Sequence, residues 1–168
     1  MSGLVATGAQ RLLAVAHWMG AAALDPGRAR QEWAEFGMTL LECGTLFSAV
    51  RMPGDMVHAA AQSRDPRAMG AFLAGALDGG PVIVDPVSER YYALVPASVA
   101  LRWDVAGTLC LGRNSCVGVP YPDRTEPRVG RPFWSVAVDS PGILCVPGDV
   151  ALVARAGRSR LAVEGTQA

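Results

Sequence analysis

The sequence predicts an α+β fold, a small mixed β-sheet with flanking helices, in a single domain spanning residues 1–168. Segments in which apolar residues recur at helical spacing are interspersed with short β-branched runs such as residues 82–84. Apolar residues make up 51% of the chain and charged residues 18%, a balance that supports a packed core. No internal repeat or linker divides the 168 residues, a length typical of one domain.

The first elements are predicted to be helical. Residues 1–24 form an N-terminal helical segment, with the helix over 8–23, where one side is apolar. Asp25, followed by a proline, predicts the N-cap of a second helix over 26–36. Gly37 is predicted to end it.

A mixture of strands and helices is predicted next. The short apolar segments 38–42 and 45–52, separated by a Cys-Gly pair, predict a hairpin or bent strand. Residues 54–63 and 65–77 have helical spacing, and Asp65 is placed to cap the second of these helices.

The following segments are predicted as strands. Residues 82–84 are β-branched and continuous, and residues 90–96 run back after a turn. A second hairpin is predicted between 109–111 and 117–119, around a turn at 112–115.

The last quarter of the chain begins with a loop. Residues 120–132 contain four prolines and are expected to form it. A late strand over 133–138 and a short helix over 149–156 follow, and a flexible polar tail is expected over 158–168.

All fifteen basic side chains are arginines, because the sequence contains no lysine. This excludes Schiff-base and pyridoxal-phosphate enzymes and Walker A NTPases, each of which needs a lysine amine. Fifteen acids balance the arginines, so no strong overall field attracts nucleic acid. Residues 102–134 are mildly basic, with five arginines against three acids.

Residues suited to catalysis or metal binding are sparse. The two histidines, His17 and His58, fall on predicted helices among small apolar residues, where a structural role is commoner than a catalytic one. Cys110 and Cys116 lack zinc-ligand spacing. If they face each other across the predicted hairpin they could oxidise; otherwise they are two packed thiols.

A metal-dependent nucleotidyl transfer would need paired carboxylates. No two acids lie two residues apart, so the weak candidates for Mg²⁺ or Mn²⁺ ligands are Asp85 and Asp139, each at a strand end. We expect a metal only if the protein is catalytic. An aspartate at a strand end is more often a turn former than a metal ligand.

Residues 90–134 contain six of the chain's eleven aromatic residues together with six of its arginines. Nucleobases stack on aromatic rings, and guanidinium groups hold phosphates, although strands also fill cores with aromatic residues. The predicted nucleic-acid-binding residues are Arg102, Trp103, Arg113, Tyr121, Arg124, Arg128, Arg131 and Trp134.

Several short motifs resemble those of a known family. In order, they are DPG at 25–27, RQEW at 30–33, GMTLLECG at 37–44, VRMP at 50–53, GPVIVD at 80–85, YALVP at 92–96, CLG at 110–112 and VGVP at 117–120. Over roughly residues 20–150 the chain resembles small actinobacterial proteins, some of which are grouped with the N-terminal domain of bifunctional DNA primase/polymerases.

The resemblance implies a primase-polymerase-like fold that binds nucleotide and template. Active members use paired acids on one strand, a further aspartate and a histidine. This chain has no paired acids, no acid within 45–51 and no histidine in its second half. We therefore expect a non-catalytic or degenerate domain that binds nucleotide or single-stranded nucleic acid.

Two other functions stay open. The first alternative is a protein-interaction or regulatory module without a nucleic-acid role. The second is a metal-dependent nucleotidyltransferase. We expect a cytoplasmic protein without membrane association, because the apolar run at 12–24 is too short to span a bilayer and suits an amphipathic core helix.

Overall fold

The computed structural model describes residues 7–167 and confirms the α+β class. The helices are α1 (Gly8–Gly20), α2 (Pro26–Phe36), α3 (Gly54–Ala61), α4 (Pro66–Ala76) and α5 (Pro147–Thr166). The strands are β1 (Met38–Glu42), β2 (Ser48–Pro53), β3 (Val82–Asp85), β4 (Arg90–Val95), β5 (Leu109–Leu111), β6 (Cys116–Pro120) and β7 (Phe133–Val136). A 3₁₀ turn over Ala97–Leu101 follows β4.

The strands form two sheets. A five-stranded sheet has the order β5-β2-β4-β3-β7, and β1 pairs with β6 in a separate two-stranded sheet. Every pairing among these named strands is antiparallel. The expected single mixed sheet is therefore replaced by two antiparallel ones.

Each face of the five-stranded sheet has its own core. On one face, α3, α4 and α5 cover a cluster that includes Met52, Val84 and Tyr91. On the other face, α1, α2 and the two-stranded sheet cover a cluster that includes Phe47 and Trp134. The alternation of side chains along each strand divides the apolar residues between the two cores.

The predicted helix starts are confirmed where a capping residue is present. Asp25 accepts a hydrogen bond from the backbone N–H of Arg28 at 3.1 Å, and Asp65 accepts one from Ala68 at 2.9 Å. A proline follows each cap, where its missing N–H costs nothing. Gly37 ends α2 in the left-handed region, at a φ of 75°.

Neither predicted hairpin forms, and the alternative of one bent strand over 38–52 is also wrong, because β1 and β2 belong to different sheets. Strand β1 pairs with β6, with Glu42 opposite Cys116, and β5 pairs with β2, with Cys110 opposite Val50. After β1, the Gly44 N–H donates to the Phe47 carbonyl, and this tight turn carries the chain from one sheet to the other. The two cysteines thus belong to different sheets and cannot form the cross-strand pair; all four cysteines are free.

The two terminal helices differ from their predicted lengths. Helix α1 ends at Gly20 instead of residue 23, and residues 1–6 of the N-terminal segment lie outside the described part. Helix α5 continues through the expected flexible tail to Thr166. Arg160 holds this extension by donating to the carbonyls of Ala59 and Ala60 at the end of α3. Among residues 7–167, no helix is both long and apolar enough to span a membrane.

Candidate functional site

A cleft of about 800 Å³ lies between α1, α2 and the start of the loop that follows β6. Its walls are mostly apolar. Several of the lining residues are small, which leaves a gap between the two helices. The lining residues are Leu13, Ala16, His17, Gly20, Ala21, Pro26, Arg30, Trp33, Ala34, Tyr121, Asp123 and Arg124. The volume is in the range typical of small-molecule sites.

Two aromatic rings meet in this cleft. Trp33 is 4% exposed, and its indole N–H donates to the Val119 carbonyl at 3.0 Å. The half-buried Tyr121 packs edge-on against Trp33, with ring centroids 5.7 Å apart and an interplanar angle of 74°. In the sequence, Trp33 belongs to the RQEW motif of the helix predicted over 26–36, and nothing in that motif indicates that it supports Tyr121.

Arg124 lies at the edge of the cleft and is held from two sides. Its guanidinium covers the backbone of Gly37, so closely that a Cβ built there would lie 2.9 Å from Nη2. Its Nε lies 3.8 Å from the carboxylate of Asp123, and its backbone carbonyl accepts a hydrogen bond from the Trp134 N–H at 2.7 Å. These contacts hold the guanidinium of Arg124 at the edge of the cleft.

A second cavity, of about 320 Å³, begins on the other side of Arg124. Arg128 and Arg131 line it, and they face each other across a bridge in the loop. Both are exposed, whereas Arg124 is half-buried. Two acids, Glu35 and Glu126, also line this cavity, so the arginines exceed the acids by one. The loop thus brings together four of the eight predicted residues: Tyr121, Arg124, Arg128 and Arg131.

Trp134 is not available to a ligand, contrary to the prediction. It is 1% exposed, and its indole N–H donates to the carbonyls of Pro120 and Tyr121 at 3.1 and 3.2 Å. Strand β7 turns this side chain into the core, where it supports the backbone of the loop. Its role in the site is indirect.

Arg102, Trp103 and Arg113 lie apart from the cleft, near β5. Strands β5 and β7 are the opposite edges of the large sheet, so the predicted site over 102–134 is divided between two edges. Trp103 packs against the core beneath α3 and donates its indole N–H to the Thr108 hydroxyl at 2.8 Å. Arg102 and Arg113 are exposed but line none of the cavities described here.

The two candidate metal ligands do not converge. Because β3 and β7 are antiparallel, Asp85, the last residue of β3, and Asp139, which follows β7, lie at opposite ends of the paired strands. Asp85 accepts hydrogen bonds from the Val87 N–H and the Ser88 hydroxyl in its own turn, and Asp139 lies 3.5 Å from Arg11. The part of the chain described, residues 7–167, also contains no cluster of three His, Cys, Asp or Glu side chains that could hold a metal ion.

Comparisons with known proteins identify no relative of this chain: no family model, no curated protein and no solved structure matches it.

Proposed function

We propose that this protein is a non-catalytic domain, similar in fold to the N-terminal domain of primase/polymerases, that binds a nucleotide or single-stranded nucleic acid. One observation carries the proposal: Arg124 lines both the aromatic cleft and the arginine-lined cavity beside it. A single ligand could therefore reach from one to the other. A cytoplasmic location is part of the proposal.

The two cavities suit different parts of such a ligand. The cleft offers apolar walls and the Tyr121 ring, against which a base can stack with a gain of roughly 1–3 kcal/mol. Arg124, Arg128 and Arg131 lie on the side where phosphates would follow. Since the chain has no lysine and only two histidines, arginine guanidinium groups are its main source of charged side-chain contacts to a phosphate.

The proposal leaves out catalysis because the two acids considered as metal ligands lie away from these cavities. Asp123 is the single carboxylate among the residues described as lining the cleft, and it lies beside Arg124. Asp85 and Asp139, the acids considered for metal binding, line neither this cleft nor the adjoining cavity.

Binding of a fluorescein-labelled oligothymidylate, followed by anisotropy, tests the proposal. We expect the double variant Arg124→Gln/Arg128→Gln to bind at least about a hundredfold more weakly, since it loses two charge-assisted contacts at about 1.5–3 kcal/mol each. The matched control, Arg102→Gln/Arg113→Gln, removes the same charge near β5 and should bind like the parent. Equal affinity of both double variants would rule out the site. Competition with ATP shows whether a mononucleotide suffices.

The apolar walls of the cleft favour a second function, docking of an apolar segment from a partner protein. Leu13 lines the cleft and is 64% exposed, so part of the apolar wall is accessible to side chains of a partner. The two functions differ in a displacement experiment with an apolar fluorescent dye bound in the cleft. An oligonucleotide displaces the dye if the cleft binds bases, and leaves it bound if the cleft serves only a protein segment.

A further inference from the structure

A separate cavity, of about 190 Å³, lies on the opposite face of the five-stranded sheet from the cleft. It is bordered by the end of α3, the start of α4 and the turn between β3 and β4. Three aromatic side chains line it: His58 from α3, Tyr91 from β4 and Phe133 from β7. Met69 and Val84 complete an apolar wall.

Two of these rings meet at a right angle. The His58 and Tyr91 ring centroids are 5.6 Å apart with an interplanar angle of 87°, and Nε2 of His58 lies 3.0 Å from the Tyr91 hydroxyl. Phe133, only 8% exposed, supplies a third ring. The cavity is thus lined by three aromatic side chains, two of them in edge-to-face contact, and aromatic rings attract cations through their faces.

The rings are neutral at physiological pH. Burial, and then the charge of Arg64, lower the pKa of His58, and burial raises the pKa of Tyr91 to about 12. Nδ1 of His58 is buried without a hydrogen-bond partner among the described residues, so no acceptor there stabilises an imidazolium. A cation in the cavity would therefore not be repelled by a charged histidine.

The charged residues lining the cavity are predominantly acidic. Asp85 and Glu89 come from the β3–β4 turn, against a single cation, Arg64, from the connection between α3 and α4. Asp85 is held by its own turn, whereas the exposed Glu89 makes no side-chain hydrogen bond or ion pair among those found in residues 7–167.

We propose that this cavity is an aromatic cage that binds the quaternary ammonium group of a small molecule. Such a group needs no hydrogen-bond acceptors, which suits walls of rings and apolar side chains. The volume equals about six waters at roughly 30 Å³ each, enough for one compact head group. The excess of carboxylates at the cavity favours a cation over an anion. The site is independent of the proposed nucleotide cleft.

Choline and its uncharged carbon isostere, 3,3-dimethylbutan-1-ol, test the cage directly. Their shapes match, so a difference in affinity reports the positive charge. In titrations followed by the NMR signals of the His58 and Tyr91 rings, we expect choline to bind about tenfold more tightly. Equal affinities, or no shift of these signals with choline, would overturn the proposal.

Two exposed charges give a second test that does not disturb the core. Arg64→Gln should tighten choline binding two- to threefold, and Glu89→Gln should weaken it by a similar factor. The reverse of both changes, or an affinity for choline that neither variant alters, would show that choline does not bind beside these two charges and would contradict the cage. Tyr91→Phe keeps the ring and should keep choline binding, whereas Phe133→Leu should lose it at an unchanged circular dichroism spectrum.

Discussion

The guanidinium of Arg124 occupies the space that a side chain at residue 37 would need. A Cβ on Gly37 would lie 2.9 Å from Nη2 and 3.0 Å from Cζ of Arg124. Gly37 thus has two roles. Its φ of 75° ends α2, and its lack of a side chain leaves room for the guanidinium of Arg124, which lines both cavities.

The first prediction separates these two roles. Gly37→Ala should destabilise the fold by about 1–2 kcal/mol because alanine is strained in the left-handed region. It should also weaken oligonucleotide binding, because the new Cβ displaces Arg124. Urea unfolding and anisotropy measure the two effects.

Gly79→Ala is the matched control for this prediction. Gly79 has nearly the same φ, 76°, but no atom lies within 4 Å of its Cβ position. We expect a similar loss of stability without a loss of binding. If Gly79→Ala weakens oligonucleotide binding as much as Gly37→Ala does, the loss of binding is not caused by displacement of Arg124.

The second prediction concerns the packing of α5 on α3. Gly157 lies against the backbone carbonyl of Met56, and a Cβ there would overlap that oxygen. Gly157→Ala should therefore cost roughly 1–3 kcal/mol of the free energy of unfolding. Gly165→Ala, in the same helix but with open space around it, should cost nothing. Equal urea midpoints for the two variants would show that the helices do not pack this closely.

The length of α5 also shows what local sequence cannot reveal. Residues 158–168 were expected to be a flexible tail, yet the helix continues to Thr166 because Gly157 and Arg160 contact the backbone of α3. Such contacts join residues about 100 positions apart, so no window of neighbouring residues encodes them. By contrast, the caps Asp25 and Asp65 act within three residues and were predicted correctly.

The candidate site was predictable to the extent that it lies on one loop. Tyr121, Arg124, Arg128 and Arg131 share the segment after β6, so sequence proximity brought them together. Trp103 and Trp134 were assigned to the surface because composition does not show which face of a strand is covered; the structure buries Trp134 fully and Trp103 in part. The hairpin errors have the same origin, since partner strands are chosen by long-range packing.

The third prediction is a pH dependence of stability. The folded pKa of His58 is lowered, first by burial and then by Arg64, while Glu89 and Asp55 oppose the shift. In the window between that lowered pKa and the ordinary value near 6.5, the unfolded chain binds more protons than the folded one. Stability should therefore fall as pH decreases below about 6.5.

Urea unfolding between pH 5 and pH 8 measures this dependence. His58→Phe should remove the part of the slope below about pH 6.5, while His17→Gln, which alters an exposed ring, should leave it unchanged. A slope that survives in His58→Phe would show that another group causes it.

The fourth prediction concerns the cysteines. Burial raises the pKa of Cys43 and Cys145 to about 12 and that of Cys110 to about 11, whereas Cys116 is exposed. Because the thiolate is the reactive form, a disulfide reagent should label one thiol rapidly and the others only on unfolding. Cys116→Ser should abolish the rapid phase. Rapid labelling that persists in this variant would place the reactive thiol elsewhere.

The salt dependence of oligothymidylate binding tests the proposed function most directly. For a single strand, the slope of log affinity against log salt is about −0.7 per phosphate contact. If Arg124 and Arg128 each hold a phosphate, Arg124→Gln/Arg128→Gln should flatten the parent slope by about 1.4, while Arg102→Gln/Arg113→Gln should leave it unchanged. The same slope in all three proteins would contradict a phosphate-binding site on this loop.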